Sequence, residues 1–352
     1  MDFGMFMEFG NRENRSEAGS FREGFNLVEA GESWGLDSAW LAEFHFNPVR
    51  SVLSSPIVVA GAIAARTKRM RVGMAVYVLP LNNPLRIAEE VATVDHISEG
   101  RFDFGIGRSG FTRSYDIYGT PYSESQARFR ESLEIIREAW KGETFSYQGD
   151  HFRIENATVT PRPYQDPHPP LRMAAVTAET FPKVAQDGFP IFVGLRGMDI
   201  PELKTHLKIY RQAWLDAGHP GKGNVYLRVP VYAGATEKVA YEEPYDSITY
   251  YFNRQSQLVS LNVASLANQA HLSSEDLQSQ ADRLARLNYQ DILDKKVIFG
   301  SAEGLIDRIA FLQEELGLDG IVAEQNAGNL IPEEKITQSL KILTHQVMPA
   351  FK

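Results

Sequence analysis

The stretch Arg101–Gly110, RFDFGIGRSG, places glycines at 105, 107 and 110 around a single arginine, Arg108. The spacing matches G-x-G-x-x-G, and a dinucleotide site would need a helix to open on the last glycine, where its N-terminus meets a pyrophosphate. The residues that follow, FTRSYDIYGTPYSES, contain Gly119 and Pro121 and show no apolar 3.6-residue period. The next amphipathic pattern starts near Ser123. The stretch therefore reads better as a buried strand, Phe102 to Ile106, whose glycine-rich end lets a ligand approach the backbone. Arg108 at that end is free to hold an anion. With no cysteine in the chain, thiol nucleophiles, thiolate metal sites and disulfides are excluded. His96, His151, His168, His206, His219, His271 and His345 show no metal-ligand spacing. Ser109 and Ser114 lack a nucleophile-elbow context, and Glu89 with Glu90 reads as a solvated helix face.

The elements that must carry these groups alternate along the whole chain. Strand patterns at Phe3 to Phe9, Ser38 to Glu43, Met70 to Val78 and Phe102 to Ile106 are separated by helical ones. Those helices are expected around Phe21 to Ala30, Pro56 to Arg66 and Pro84 to Ile97, with proline at the first turn of the last two. This is the repeat of βαβ units. A fourth helix is expected from Ser123 to Lys141, with Ser123 and Gln126 at capping-box spacing. A hairpin follows around Gly149 and Asp150. Strands at Leu171 to Val176, Pro190 to Gly194, Val225 to Ala233 and Gly320 to Glu324 complete a set of eight. Helices are expected at Thr180 to Gln186, Pro201 to Ala217, Ser301 to Leu316 and Pro332 to Met348. The count is that of a (β/α)8 TIM barrel, an α/β fold, with an open doubly wound sheet as the rival. Residues 1–352 read as one domain with insertions at about 144–165 and, after strand 7, about 236–296.

The net charge of −9 comes from interleaved acids and bases. It offers no basic footprint for nucleic acid or an anionic membrane. The N-terminus lacks a signal-peptide pattern, and the longest apolar run, Ile57 to Ala65, is too short to span a bilayer. A soluble, cytoplasmic protein is expected. In a barrel, the chemistry sits at the C-terminal strand ends. Those ends are Met7–Phe9, Glu43–Phe46, Ala75–Tyr77, Gly107–Ser109, Thr177–Thr180, Gly194–Arg196 and Glu324–Asn326. Rich in aromatics, with two arginines, a histidine and hydroxyls, the set suits a flat apolar ligand with an anionic tail.

WLAEFHF (40–46), VLPLNNPLRIAEEVATVDHISEGRFDFGIGRSG (78–110) and the helix at Phe129 resemble the bacterial luciferase-like flavin-dependent monooxygenases. FGSAEGLIDRI (299–309) and the last strand and helix extend the resemblance to the C-terminus. It implies a barrel, usually dimeric, that uses reduced, diffusible FMN, or a deazaflavin relative, with O2 as co-substrate. A separate flavin reductase would supply the reduced FMN, and one oxygen atom would enter a small organic substrate. It places Arg108 on the flavin phosphate beside Gly107, with Thr177 and Thr180 assisting. Ala75 and Val76 fall where the family has a non-prolyl cis peptide beneath the flavin ring.

Each assignment has an ordinary alternative. Arg108 would otherwise pair with a carboxylate such as Asp116, and the threonines would otherwise cap a helix. Many members of the family read Glu-His-His-Phe where this chain has Glu43-Phe44-His45-Phe46, so Phe44 replaces the first histidine. Strand alternation need not hand its role to His45. His45 is kept as the proton-handling candidate, or else as a loop histidine satisfied by backbone. Phe9, Phe44, Phe46, Tyr77 and Phe111 are expected to line the substrate pocket. Two other functions stay open: deazaflavin-dependent hydride transfer, and a non-catalytic flavin-binding or partner subunit.

Overall fold

In the computed structural model, which describes residues 1–12, 15–266 and 274–352, eight short strands run parallel. They are β1 (Asp2–Met7), β2 (Ser38–Leu41), β3 (Arg71–Met74), β4 (Phe102–Gly107), β5 (Leu171–Ala174), β6 (Ile191–Gly194), β7 (Val225–Ala233) and β8 (Gly320–Glu324). Each pairs with the next, and β8 pairs with both β7 and β1, so the sheet closes on itself. The closed ring is a TIM barrel and excludes the open sheet.

Around it lie α1 (Glu17–Ser33), α2 (Pro56–Arg66), α3 (Pro84–Ile97), α4 (Ser125–Trp140), α5 (Thr180–Gln186), α6 (Ile200–Asp216), α7 (Ala302–Leu316) and α8 (Glu333–Ile342). Proline enters α2 and α3 at the first turn, where its missing N–H costs nothing. Ser301 caps α7 and left-handed Gly317 ends it. The capping box expected at Ser123 does not form. A 3-10 turn at Tyr122–Glu124 precedes α4, and Ser125 bonds to Arg108 instead.

Strand alternation builds two cores. Outward residues such as Met5, Leu41, Val72, Phe104 and Ile191 pack against Ile63, Val91 and Ile136 of the helices. Each such buried aliphatic or aromatic side chain contributes about 1.5–3 kcal/mol. Inward residues Phe6, Trp40, Phe192, Tyr226 and Val322 plug the barrel. Trp40 meets Phe192 edge-on at 4.8 Å, and its indole N–H donates to Ser38 Oγ at 2.8 Å.

Between β3 and β4 the register slips by one residue, from Gly73 opposite Asp103 to Tyr77 opposite Ile106. The continuous strand expected to Val78 is therefore interrupted by a bulge, and the Ala75–Val76 peptide within it is cis. The bulge brings the Met74 carbonyl against Gly105, so that a Cβ there would overlap its oxygen. Gly105→Ala is expected to destabilise the fold by about 1–3 kcal/mol, because backbone cannot yield as a side-chain tip does. A lower urea midpoint at unchanged slope would show it; an unchanged midpoint would count against this packing.

The hairpin forms at Phe145–Gln148 and Arg153–Ala157. After β7 come helices at Glu237–Glu242, Tyr245–Leu266, Ser274–Ala285 and Tyr289–Lys295, then a short strand, Ile298–Gly300, that pairs with the end of β7. The stretch after Gly110, which shows no helical period, holds a short helix at Thr112–Tyr118. No helix among the described residues is long and apolar enough to cross a membrane.

Candidate active site

The C-terminal mouth of the barrel has two unlike halves. On the β3 to β6 side the inward positions after the Trp40 layer are Ala75, Gly107, Ala174 and Gly194. Ala75, Ala174 and Gly194 are half-buried, forming a low shelf open to the mouth. Gly107 serves a different end from the one its motif suggests. A Cβ there would come within 2.5 Å of Val76 Cγ2, so the missing side chain makes room for Val76.

Arg108 leaves β4 at the edge of this shelf and is exposed. Its Nη1 donates to Ser125 Oγ at 3.1 Å, and its carbonyl accepts from the Tyr115 hydroxyl. Among the described residues it has no ion pair, and the Asp116 pairing does not form. Its charge is uncommitted. Strand β5 lies next to β4, with Met173 opposite Ile106, so the loop carrying Thr177 emerges beside Arg108. Thr177 and Thr180 bond to each other through their hydroxyls at 2.7 Å, and neither caps α5, whose N-cap is Glu179 without a side-chain bond. A guanidinium fork and two hydroxyls at adjacent strand ends suit a phosphate.

On the other side, β1, β7 and β8 present charge. Glu8 is gripped by Arg50 through two bonds, one of them Nε to Oε2 at 2.9 Å. Arg228 on β7 bridges Glu8 at 3.2 Å and Glu324 at 2.9 Å, and its guanidinium lies 3.5 Å above the Phe6 ring. Burial acts to raise the Glu8 pKa, but Arg50 and then Arg228 and Arg196 outweigh it, and the carboxyl titrates below its ordinary value. Tyr251 and Gln255, from the inserted helix Tyr245–Leu266, are buried here. Glu8, Arg196 and Glu324 stand at strand ends and were legible there. Arg50, Arg228, Tyr251 and Gln255 were not, since a loop, a mid-strand position and an insertion carry no local signal.

Phe44 belongs to the inner wall with Ala75 and Val76. Its ring carries the Arg50 guanidinium at 3.8 Å and faces Phe111 at 6.2 Å. His45 points to the opposite face, as alternation requires. It is not held by backbone: Nε2 lies 2.6 Å from Glu43 Oε1 and Nδ1 lies 3.2 Å from the Tyr118 hydroxyl. Glu43 Oε2 accepts the Val78 N–H at 2.8 Å. Burial raises the Glu43 pKa against the pull of His45. Burial, then Glu43, also raises that of Tyr118. The exposed ring of Phe46 completes this rim against Tyr118 at 5.1 Å.

Two expected pocket residues lie elsewhere. Phe9 is on the outward register of β1 and packs on Phe21 and Phe25 of α1 at 5.6 and 5.9 Å. Tyr77, beyond the bulge, sits in the outer core against Phe104 at 5.8 Å. His96, His168 and His219 contact backbone carbonyls, and His271 lies outside the described residues. Among the described residues no three histidine, aspartate or glutamate side chains gather to hold a metal. Glu89 and Glu90 pair with Arg86 on the α3 surface.

The fold is that of a (β/α)8-barrel protein whose mouth brings Arg108 and two threonine hydroxyls to adjacent strand ends. The model of the luciferase-like monooxygenases matches residues 1–320, and the chain belongs to that family. It is 32% identical over 194 residues to an alkanal monooxygenase alpha chain of the Kryptophanaron alfredi symbiont, covering 55% of this chain and 54% of that one. The chain thus spans about half the length of the curated relatives it matches at this level. The oxygenase component of a flavin-dependent trigonelline monooxygenase from Acinetobacter baylyi is 24% identical over 94% of this chain and 90% of its own. The oxygenating constituent of Pseudomonas putida 3,6-diketocamphane monooxygenase, solved with FMN, shares the fold. Its TM-score is 0.83 at 21% identity, over 99% of this chain and 98% of that one.

Proposed function

We propose that this protein is a flavin-dependent monooxygenase that uses reduced FMN and O2 to place one oxygen atom on a small organic substrate. The observation that carries the reading is Arg108, an arginine with no ion pair among the described residues, at the edge of a shelf of alanine and glycine. Arg108, Thr177 and Thr180 would hold the flavin phosphate, with Ala75, Val76, Ala174 and Gly194 under the ring. Bound there, the reduced flavin supplies the electrons with which dioxygen is activated. The chain's own share is to orient and to keep water out, through Phe44 and Phe111 at the inner wall and Phe46 at the rim. His45, held by Glu43, would take or return a proton at Nδ1 through the Tyr118 hydroxyl.

In this reading residues 1–352 act as one barrel domain, a homodimer in the cytoplasm, with a separate reductase delivering the flavin. The relative from Acinetobacter is by name an oxygenase component, which supports the two-component arrangement.

Arg108→Ala is expected to weaken FMN binding by about 1–3 kcal/mol, the scale of a charged hydrogen bond. Quenching of flavin fluorescence measures it. Wild-type affinity in the variant would remove Arg108 from the site. Binding of a deazaflavin in place of FMN, with no oxygen consumed when a reductase and NAD(P)H are added, would move the protein to hydride transfer.

A further inference from the structure

The ion pairs of the mouth do not use up its positive charge. Glu8 and Glu324 are matched by Arg50 and Arg228. Two more guanidiniums share that wall with neutral partners. Arg196 Nη1 donates to Gln255 Oε1 at 3.2 Å, and Arg254 Nη2 donates to Asn47 Oδ1 at 2.8 Å. Among the described residues neither has a carboxylate at ion-pair distance. Both are half-buried, and the charge of Arg196 is felt by Glu8 and Tyr251, which places it in the same cluster. Arg50 Nη1 is buried with no partner. Within a chain of net charge −9, this wall thus holds two guanidiniums that have no carboxylate partner among the described residues.

We propose that Arg196 is a substrate-anion subsite, and that the substrate is a small organic acid whose carboxylate completes this charge balance. Arg196 lies two residues past Gly194, where β6 ends, so the anion would rest at the end of the shelf. Arg108 and Arg196 leave β4 and β6, the two strands flanking β5, which separates the flavin phosphate from the substrate charge. Gln255 holds the guanidinium in place without neutralising it, and the planar fork remains able to accept a carboxylate in two-point fashion. A partly desolvated cation without a counter-ion is a cost to the fold, and such costs concentrate where a ligand is to be bound.

The proposal rests on the flavin reading for what lies on the shelf, and the test separates the two. FMN titration of the wild type tests the flavin. Calorimetry on the FMN-loaded protein then compares benzoate, phenylacetate and hexanoate with their amides; if FMN does not bind, the flavin reading fails and the same comparison is made on the protein alone. At least one acid is expected to bind tenfold or more tightly than its amide. Arg196→Gln should erase that preference at unchanged FMN affinity, Arg196→Lys should keep part of it, and Arg254→Gln should weaken it. Acids no better than their amides would overturn the proposal, as would a preference that survives Arg196→Gln. Loss of FMN in Arg196→Gln would overturn it too, by assigning Arg196 to the flavin.

Discussion

Glu8→Gln is expected to lower the unfolding free energy by about 3–5 kcal/mol, the usual result of removing one partner of a buried ion pair. Arg50 is 3% exposed, and its fixed contacts are Glu8 on one side and the Phe44 ring on the other. With a neutral amide at position 8, Arg50 and Arg228 face each other's charge without a shared carboxylate. The double variant Glu8→Leu with Arg50→Met should recover much of the loss, since an apolar pair of similar volume removes the stranded charge. Because the Glu8 pKa is held below its ordinary value, the carboxylate's contribution is present above roughly pH 4.3. It is lost as the pH falls through the folded-state value. Urea unfolding of wild type and variant should therefore differ most near neutrality and converge in acid. A constant difference across that range would show that Glu8 acts by shape and not by charge.

His45→Ala is expected to lower turnover about 100-fold or more, the contribution of a positioned proton-transfer group, while FMN affinity stays within about twofold. Tyr118→Phe should reproduce most of the loss, because both ring nitrogens of His45 are engaged and only the Tyr118 hydroxyl faces outward from the chain Glu43–His45–Tyr118. With Glu43 ionised, Nε2–H donates to Oε1 and Nδ1 accepts from the tyrosine; with Glu43 protonated both bonds reverse. Burial raises the Glu43 pKa, so turnover should fall as the pH drops through a value above the ordinary glutamate range, and Glu43→Gln should remove that acid limb. Steady-state rates at saturating FMN across pH measure both effects. The opposite pattern, weaker FMN binding with unchanged saturating rate, would make His45 a clamp. It would then act on the helix Thr112–Tyr118, which also carries Tyr115 onto the Arg108 carbonyl.

The sequence by itself determined the alternation of strands and helices and hence the barrel, because hydrophobic period and capping are local properties. Val225–Ala233, Pro56–Arg66 and Pro84–Ile97 fall where their patterns place them. It also placed Arg108 and Thr177 at neighbouring strand ends, since strand order in a barrel follows chain order. Direction was harder. Phe9 and Tyr77 stand at the right strand ends and face the helices, because alternation and a one-residue bulge decide which side of the sheet a residue takes. Only the tertiary structure decided that Gly107 shelters Val76, that His45 is bound by Glu43 and Tyr118, and that Arg50, Arg228 and the inserted helix build a charged wall opposite the shelf. Those contacts join residues as far apart as 8 and 228, and no pattern along the chain encodes a meeting that closure of the ring creates.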